Sequence, residues 1–162
     1  MSIIPVLDLA DYLSDDITRK QKFIQDFGKA YEEIGFAAIE NHGIPPELIQ
    51  RFYQSIQDFF ALPTEEKLKY EIVELAGQRG YTSFGREKAK QSEVADLKEF
   101  FQFGQYIEDG EKMPEEDYPD NVEVKEVEDF NKIGKELYQN FEKSGRHLLR
   151  AIAEYLELDK NY

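Results

Sequence analysis

The 162-residue sequence has no cysteine, no tryptophan and only two histidines. Without cysteine it has no disulfide, no thiolate metal ligand and no cysteine nucleophile. It also lacks any run of about 18 apolar residues, so no segment has the composition of a membrane-spanning helix. The first residues carry neither a basic region nor a long apolar stretch, which is not the pattern of a signal peptide. We therefore expect a cytoplasmic protein.

Basic residues are scarce, because 20 lysines and arginines stand against 34 acidic residues and the formal net charge is -14. A protein that binds nucleic acid needs basic patches to displace the counterions of the phosphate backbone. An anionic membrane surface makes the same demand. The charge balance therefore argues against nucleic-acid and membrane partners, although one local arginine suffices to bind a small anionic substrate.

Aromatic residues are abundant, with 12 phenylalanines and 10 tyrosines, and hydrophobic residues make up 41% of the chain. A disordered chain would have few aromatic residues. The length is sufficient for one domain with a substantial core. The composition therefore predicts a folded domain.

Apolar residues recur every three or four positions in segments 23–34, 48–60 and 127–155, which predicts three amphipathic helices. The last helix is the longest and would extend about 40–50 Å at 1.5 Å per residue. Gly134 and Gly145 lie on its apolar face. Their position predicts that another backbone packs closely against this helix.

Short apolar runs alternate with turns in the rest of the chain. Residues 3–9 and 36–40 have the composition of short strands, and so does the phenylalanine-rich run 100–103. Three glycines between residues 71 and 95 predict a loop with little regular structure, and the acidic segment 108–120 predicts an exposed loop. The sequence thus predicts an α+β fold that is mainly helical with a few short strands.

Six short motifs follow one another along the chain. They are I-P-V-L-D-L at residues 4–9, G-F-A-A-I-E-N-H-G-I-P at 35–45, F-F-A-L-P-T-E-E-K at 59–67, R-G-Y at 79–81, D-L-K-E-F-F at 96–101 and L-L-R-A-I-A at 148–153. Together they resemble the N-terminal region of the isopenicillin N synthase-like and plant-type 2-oxoglutarate dioxygenases. The resemblance covers essentially the whole chain, and the G-F-x-x-x-x-N-H-G-I-P string is its most specific part.

The resemblance implies that the catalytic residues lie in a second domain. In that family, this mainly helical region packs against a jelly-roll barrel, and the barrel carries the chemistry. The barrel holds iron(II) on two histidines and one carboxylate, which leaves open positions for 2-oxoglutarate and O₂. The first histidine and the carboxylate form an H-x-D pair, and an R-x-S pair holds the far carboxylate of 2-oxoglutarate.

Neither histidine of this sequence begins an H-x-D pair, because His42 is followed by Gly43-Ile44 and His147 by Leu148-Leu149. No arginine begins an R-x-S pair. We therefore expect no catalytic and no metal-binding residue here, and we expect residues 1–162 to form a non-haem dioxygenase N-terminal domain without the catalytic jelly-roll domain. Iron(II) and 2-oxoglutarate are expected cofactors of the full-length enzyme. This chain alone is expected to bind neither and to be inactive.

Two residues of the 71–95 segment are candidate substrate-binding residues. In the isopenicillin N synthase branch, a basic residue just before the Gly-Tyr pair reaches the substrate cleft. The resemblance therefore implies that Arg79 binds a substrate carboxylate through its planar guanidinium, and that Tyr81 lines the same cleft. The alternatives are a surface arginine paired with an acid and a tyrosine in the core or at its rim. Of the histidines, we expect His42 to hold its turn through bonds to the backbone and His147 to be inert.

The resemblance predicts the N-terminal portion of an oxygenase that uses iron(II) and 2-oxoglutarate to oxidise a small molecule. Its expected partners are that substrate and its own C-terminal jelly-roll domain. Two alternatives remain at this stage. One is a non-catalytic helical interaction module, whose long helix would need a partner surface. The other is an isopenicillin N synthase-like oxidase that does not use 2-oxoglutarate.

Overall fold

The computed structural model describes residues 4–88, 94–107 and 118–159. Its helices are α1 (Leu9–Tyr12), α2 (Ile17–Glu33), α3 (Pro46–Phe60), α4 (Thr64–Leu68) and α5 (Phe130–Tyr155), with a short 3-10 helix at Val73–Leu75. Its strands are β1 (Val6–Asp8), β2 (Ala38–Glu40), β3 (Gly80–Thr82) and β4 (Phe100–Gln102). Helices dominate these described ranges and no closed barrel occurs within them, which agrees with the predicted α+β class.

The chain divides into two compact units. The terminal unit comprises the residues up to Pro45 and those from Gln139 onward, and the central unit is Pro46–Tyr138. Helix α5 contributes its first residues to the central unit and the rest to the terminal unit. Across the described ranges, no helix has both the length and the apolar composition needed to cross a membrane.

The terminal unit contains a two-stranded parallel sheet. Val6 of β1 lies opposite Ala38 of β2, and Asp8 lies opposite Glu40. Parallel neighbours need a long crossover, which α1 and α2 provide. The carboxylate of Asp16 begins α2 by accepting hydrogen bonds from the first turn of the helix.

The core of the terminal unit lies between α1, α2 and the second part of α5. Leu9, Phe27 and Ala151 are almost completely buried in it. Gly28 permits close packing, because the ring of Tyr155 occupies the space in which a Cβ at this position would lie. Each large apolar side chain buried here contributes about 1.5–3 kcal/mol.

The central unit has a core of aromatic rings around Phe59, which is completely buried. Five rings lie with their centroids 5.0 to 6.1 Å from that of Phe59, at angles between tilted and edge-on. They belong to Phe60, Tyr70, Tyr81, Phe101 and Phe130. Such arrangements stabilise aromatic pairs beyond the effect of area burial alone.

The segment 71–95 is more ordered than the sequence predicted, and the prediction of a loop was wrong for part of it. Strand β3 pairs antiparallel with β4, and the N–H of Tyr81 also donates to the carbonyl of Tyr70 at 2.9 Å. Gly80 has a φ of 76°, and a Cβ here would press on that same carbonyl. Gly80 therefore lets the Tyr70 carbonyl approach the backbone of β3 closely, and it does not interrupt the strand. Residues 89–93 of this segment lie outside the described ranges.

Two further predictions concern loops and close helix packing. Most of the segment 108–120 lies outside the described residues, and residues 118–120 have no regular structure.

The close neighbour of Gly134 is the ring of Phe103 and not another backbone, so the prediction of close backbone packing at this glycine was wrong. Gly145 has no described atom within 4 Å of a Cβ built on it. The two glycines of α5 thus lie in different environments.

Candidate functional site

Arg79 lies in the central unit, immediately before β3. Its Nη1 donates to the carbonyl of Gln78 at 2.7 Å, while its buried Nε has no hydrogen-bond partner among the described residues. The guanidinium covers Gly104, where a Cβ would overlap it. Arg79 forms no salt bridge within the described ranges. Its charge is therefore not paired with a described carboxylate, and its Nη2 makes no hydrogen bond within these ranges.

Tyr81 is 1% exposed, and its hydroxyl donates to the carboxylate of Glu99. Burial and this neighbouring carboxylate raise the pKa of Tyr81 well above its ordinary value, so the phenol remains neutral. Its ring contacts Phe59 in the aromatic core. The structure thus places Tyr81 in the core, and a role in substrate binding stays a prediction.

The Glu99 carboxylate also binds a buried lysine that the sequence analysis did not identify. The Nζ of Lys67, at the end of α4, lies 2.8 and 3.0 Å from the two carboxylate oxygens and 3.2 Å from the carbonyl of Phe60. These acceptors occupy the donors of the ammonium group, and the Lys67 side chain is only 7% exposed. A buried charge needs such pairing, because water no longer solvates it.

This cluster joins three of the motifs that carry the resemblance. Lys67 closes F-F-x-L-P-x-E-E-K, Tyr81 closes R-G-Y, and Glu99 lies within D-L-K-E-F-F. The only signal in the sequence was that each motif contains a charged or hydroxyl-bearing residue. Spacing along the chain does not show that they meet, because the contact depends on how α4, β3 and β4 fold together.

A cavity of about 210 Å³ lies beside β3 and the 3-10 helix. Its polar lining includes Glu71, Thr82 and Arg86, and the Thr82 hydroxyl is buried without a partner in the described part of the chain. Burial opposes the ionisation of Glu71, but hydrogen bonds from Ser83 and Arg86 outweigh it and hold the pKa of Glu71 below its ordinary value. The carboxylate is therefore ionised and already paired.

The two histidines belong to the terminal unit. The Nδ1 of His42 accepts a hydrogen bond from the N–H of Ile44 at 3.2 Å. The backbone carbonyl of His42 accepts a second hydrogen bond from the Ser144 hydroxyl at 2.5 Å. The ring therefore holds the turn, as predicted. His147 lies on α5 with its ring 6.4 Å from that of Tyr12. Among the described residues, no group of three His, Asp or Glu side chains is arranged to hold a metal ion.

Comparison with known proteins identifies relatives of this chain. A family model described as "non-haem dioxygenase in morphine synthesis N-terminal" matches residues 4–140. The proline hydroxylase buaE of Petromyces alliaceus is 31% identical over an alignment of 163 positions, which covers 96% of this chain and 49% of that protein. The 2-oxoglutarate-dependent dioxygenase traH of Penicillium crustosum is 30% identical over 161 residues, covering 93% and 47%.

Solved structures show the same relationship. The crystal structure of a protein assigned to the 2OG-Fe(II) oxygenase family from Caulobacter crescentus has a TM-score of 0.82 and 33% identity, covering 99% of this chain and 51% of that one. A full-length Neurospora crassa protein crystallised in complex with alpha-KG has a TM-score of 0.78 and 26% identity, covering 98% and 49%. The chain therefore spans about half the length of the relatives that match it almost throughout.

Proposed function

This chain belongs to the non-haem dioxygenase N-terminal family, and we propose that it forms the N-terminal region of an iron(II)- and 2-oxoglutarate-dependent oxygenase that oxidises a small molecule. The fold match over nearly the whole chain to a protein of that oxygenase family carries this proposal. The Penicillium relative is a 2-oxoglutarate-dependent dioxygenase by name, and the Neurospora structure contains alpha-KG. The name of the Petromyces relative, a proline hydroxylase, supports a small-molecule substrate.

The described residues do not fit the iron that the family implies. A facial triad requires two histidines and one carboxylate on converging elements. His42 uses its Nδ1 to accept the N–H of Ile44, and no three-residue group of potential ligands includes it. We therefore assign iron(II) and 2-oxoglutarate to the half of the relatives' length that this chain does not span.

We assign the contact with that half to α5. Phe141 and Leu149 are 59% and 68% exposed and lie on one side of the helix, with the open Gly145 between them, and Leu156, which is 56% exposed, continues this side directly after the helix ends. An exposed apolar stripe of this kind marks a docking surface. The occupant we propose is the C-terminal jelly-roll domain that the resemblance implies, because the relatives are about twice as long as this chain. A separate interaction module would expose the same stripe, and the experiment below distinguishes the two.

Arg79 is our candidate for the residue that binds substrate. Its guanidinium forms no salt bridge among the described residues and its Nη2 has no hydrogen-bond partner there, so it can pair with a substrate carboxylate. The covered Gly104 fixes its position. Tyr81 supports this placement by anchoring β3 to Glu99.

The test compares this chain with the protein encoded by the complete reading frame. We expect the chain alone to show no saturable binding of iron(II) or 2-oxoglutarate by calorimetry, and the longer protein to bind both and release succinate. Tight binding by the chain alone with succinate release would contradict the assignment. A longer protein that neither binds iron nor oxidises any compound would favour the interaction module. Oxidation without succinate would indicate the oxidase alternative.

The role of Arg79 is tested in the complete protein, on whatever carboxylate substrate it oxidises. Removal of a charged hydrogen bond should raise KM at least about tenfold in Arg79→Gln. Gly104→Ala should have a similar effect, because the new Cβ displaces the guanidinium. The matched control is Arg51→Gln, since Arg51 forms an exposed ion pair with Glu136. Equal KM values in all three variants would exclude Arg79 as a substrate ligand.

A further inference from the structure

One side of α5 in the terminal unit is basic, although the protein has a net charge of -14. Lys143, His147 and Arg150 are separated by four and three residues, so they lie on the same side of the helix. Lys20 of α2 also reaches this side, with its Nζ 3.4 Å from Glu154. Two lysines, one arginine and one histidine thus lie beside about two turns of α5.

Two cavities follow this basic side. The larger, of about 480 Å³, is lined by Tyr12, Lys20, His147 and Arg150 among others. The smaller, of about 120 Å³, includes Lys143 and His147 in its lining. His147 and Leu13 belong to both linings, so the cavities adjoin and form one groove, which we call the α5 basic groove.

The positive charge of this groove is only partly compensated. Among the described residues that line it, the single carboxylate is that of Glu154, which accepts the Tyr12 hydroxyl at 2.9 Å and pairs with Lys20. Neither Lys143 nor Arg150 forms a salt bridge within the ranges that the structure describes. Burial and the Glu154 carboxylate raise the pKa of Tyr12 to about 12, so its hydroxyl adds no negative charge at neutral pH.

We propose that the α5 basic groove binds an anionic group, a phosphate or a carboxylate, between Lys20, His147 and Arg150. Arginine and lysine provide the charge and the directed donors that such oxyanions require, and the imidazole N–H adds a further donor. The cavity is large enough for a phosphate or a small organic acid. Repulsion by an acidic protein disfavours anions elsewhere on the surface, so an anion that binds does so at a local positive site.

This site shares no residue with the docking surface, and Arg79 belongs to the other unit. The apolar stripe of Phe141, Leu149 and Leu156 lies on a different side of α5 from Lys143 and Arg150, as their positions along the helix require. The proposal therefore does not depend on the oxygenase assignment, and it holds for this chain by itself.

The experiment follows the amide resonances of the isotope-labelled chain during titration with sodium phosphate and, separately, sodium succinate, at constant ionic strength maintained with chloride. We expect saturable shifts confined to the end of α1, the start of α2 and the second half of α5. Saturation by both anions would assign a general oxyanion site, and saturation by phosphate alone would assign a phosphoryl site. Shifts that never saturate, or that spread evenly over the chain, would overturn the proposal.

Matched variants separate a built site from general electrostatics. Lys20→Gln and Arg150→Gln should each weaken phosphate binding about tenfold, because each removes one charge-assisted hydrogen bond. Lys29→Gln removes the same charge from α2, but nine positions from Lys20 on the opposite side of that helix. It should leave binding unchanged. Equal weakening by Lys20→Gln and Lys29→Gln would show that no local site exists, and circular dichroism verifies that each variant is folded.

Discussion

The family motifs build different structures in the two units. In the terminal unit, the motif at residues 35–45 contains a turn in which His42 accepts hydrogen bonds from the N–H of Ile44 and from the hydroxyl of Ser144. In the central unit, three motifs meet at a buried ion pair between Lys67 and Glu99. The most specific motif of the resemblance is therefore not the one that buries an ion pair. How specific a motif is for the family does not indicate whether its charged residues are buried. We therefore expect substitutions in the hydrogen-bonded turn and at the buried ion pair to have very different effects on stability.

Removal of the buried charge should have the largest effect. Lys67→Met leaves Glu99 buried without a cation, and breaking a buried pair costs about 3–5 kcal/mol. The measurement is the free energy of unfolding in urea. The control in the other unit is Lys20→Met, because its pair with Glu154 is partly exposed and such pairs contribute below about 1 kcal/mol.

A second variant sharpens this test. Lys67→Met combined with Glu99→Leu replaces the whole pair with apolar side chains, which often restores stability. We expect the double variant to be more stable than Lys67→Met alone. If Lys67→Met and Lys20→Met have equal effects, the central unit does not depend on its buried pair.

The two glycines of α5 provide the next comparison, one in each unit. Gly134→Ala should destabilise the protein, because the new methyl group meets the Phe103 ring and overpacking costs about 1–3 kcal/mol, partly offset by helix propensity. Gly145→Ala should stabilise this chain by about 0.5–1 kcal/mol, because nothing described lies within 4 Å. Thermal unfolding of both variants measures the difference. Destabilisation by Gly145→Ala would contradict the assignment of open space around Gly145.

The smallest effect is expected from Glu71 in acid. Its pKa in the folded protein lies below the ordinary value of 4.5, so the carboxylate contributes stability that is present above that pH and is lost as the pH falls through the folded pKa. Glu71→Gln should therefore flatten the decline of unfolding free energy below about pH 4.5. Ser83→Ala, which removes one donor to this carboxylate, should give an intermediate profile. Identical acid profiles for the wild type and Glu71→Gln would contradict the assignment.

The helices were predictable because their apolar spacing is a local property. The segment 127–155 was expected to be one long helix, and α5 spans Phe130–Tyr155. Strand β3 was missed because its glycine suggested a break, whereas the close approach of the Tyr70 carbonyl requires that glycine. The ion pair between Lys67 and Glu99 could not be predicted from local patterns, because the two residues are 32 positions apart in the sequence. Arg79 was proposed from the resemblance, and the structure adds its unpaired Nε.

The parallel pairing of β1 and β2 has a consequence for the order of folding. Register is set between Val6 and Ala38, and α2 occupies most of the chain between them. Closing a long flexible loop costs entropy before any ladder bond repays it, so we expect the two strands to pair after α2 has formed and shortened the intervening segment. The amide of Ala38 donates to the Pro5 carbonyl at 2.9 Å. Because opening of α2 should also break this bond, we expect the Ala38 amide hydrogen to exchange at least as fast as the amide hydrogens in the interior of α2.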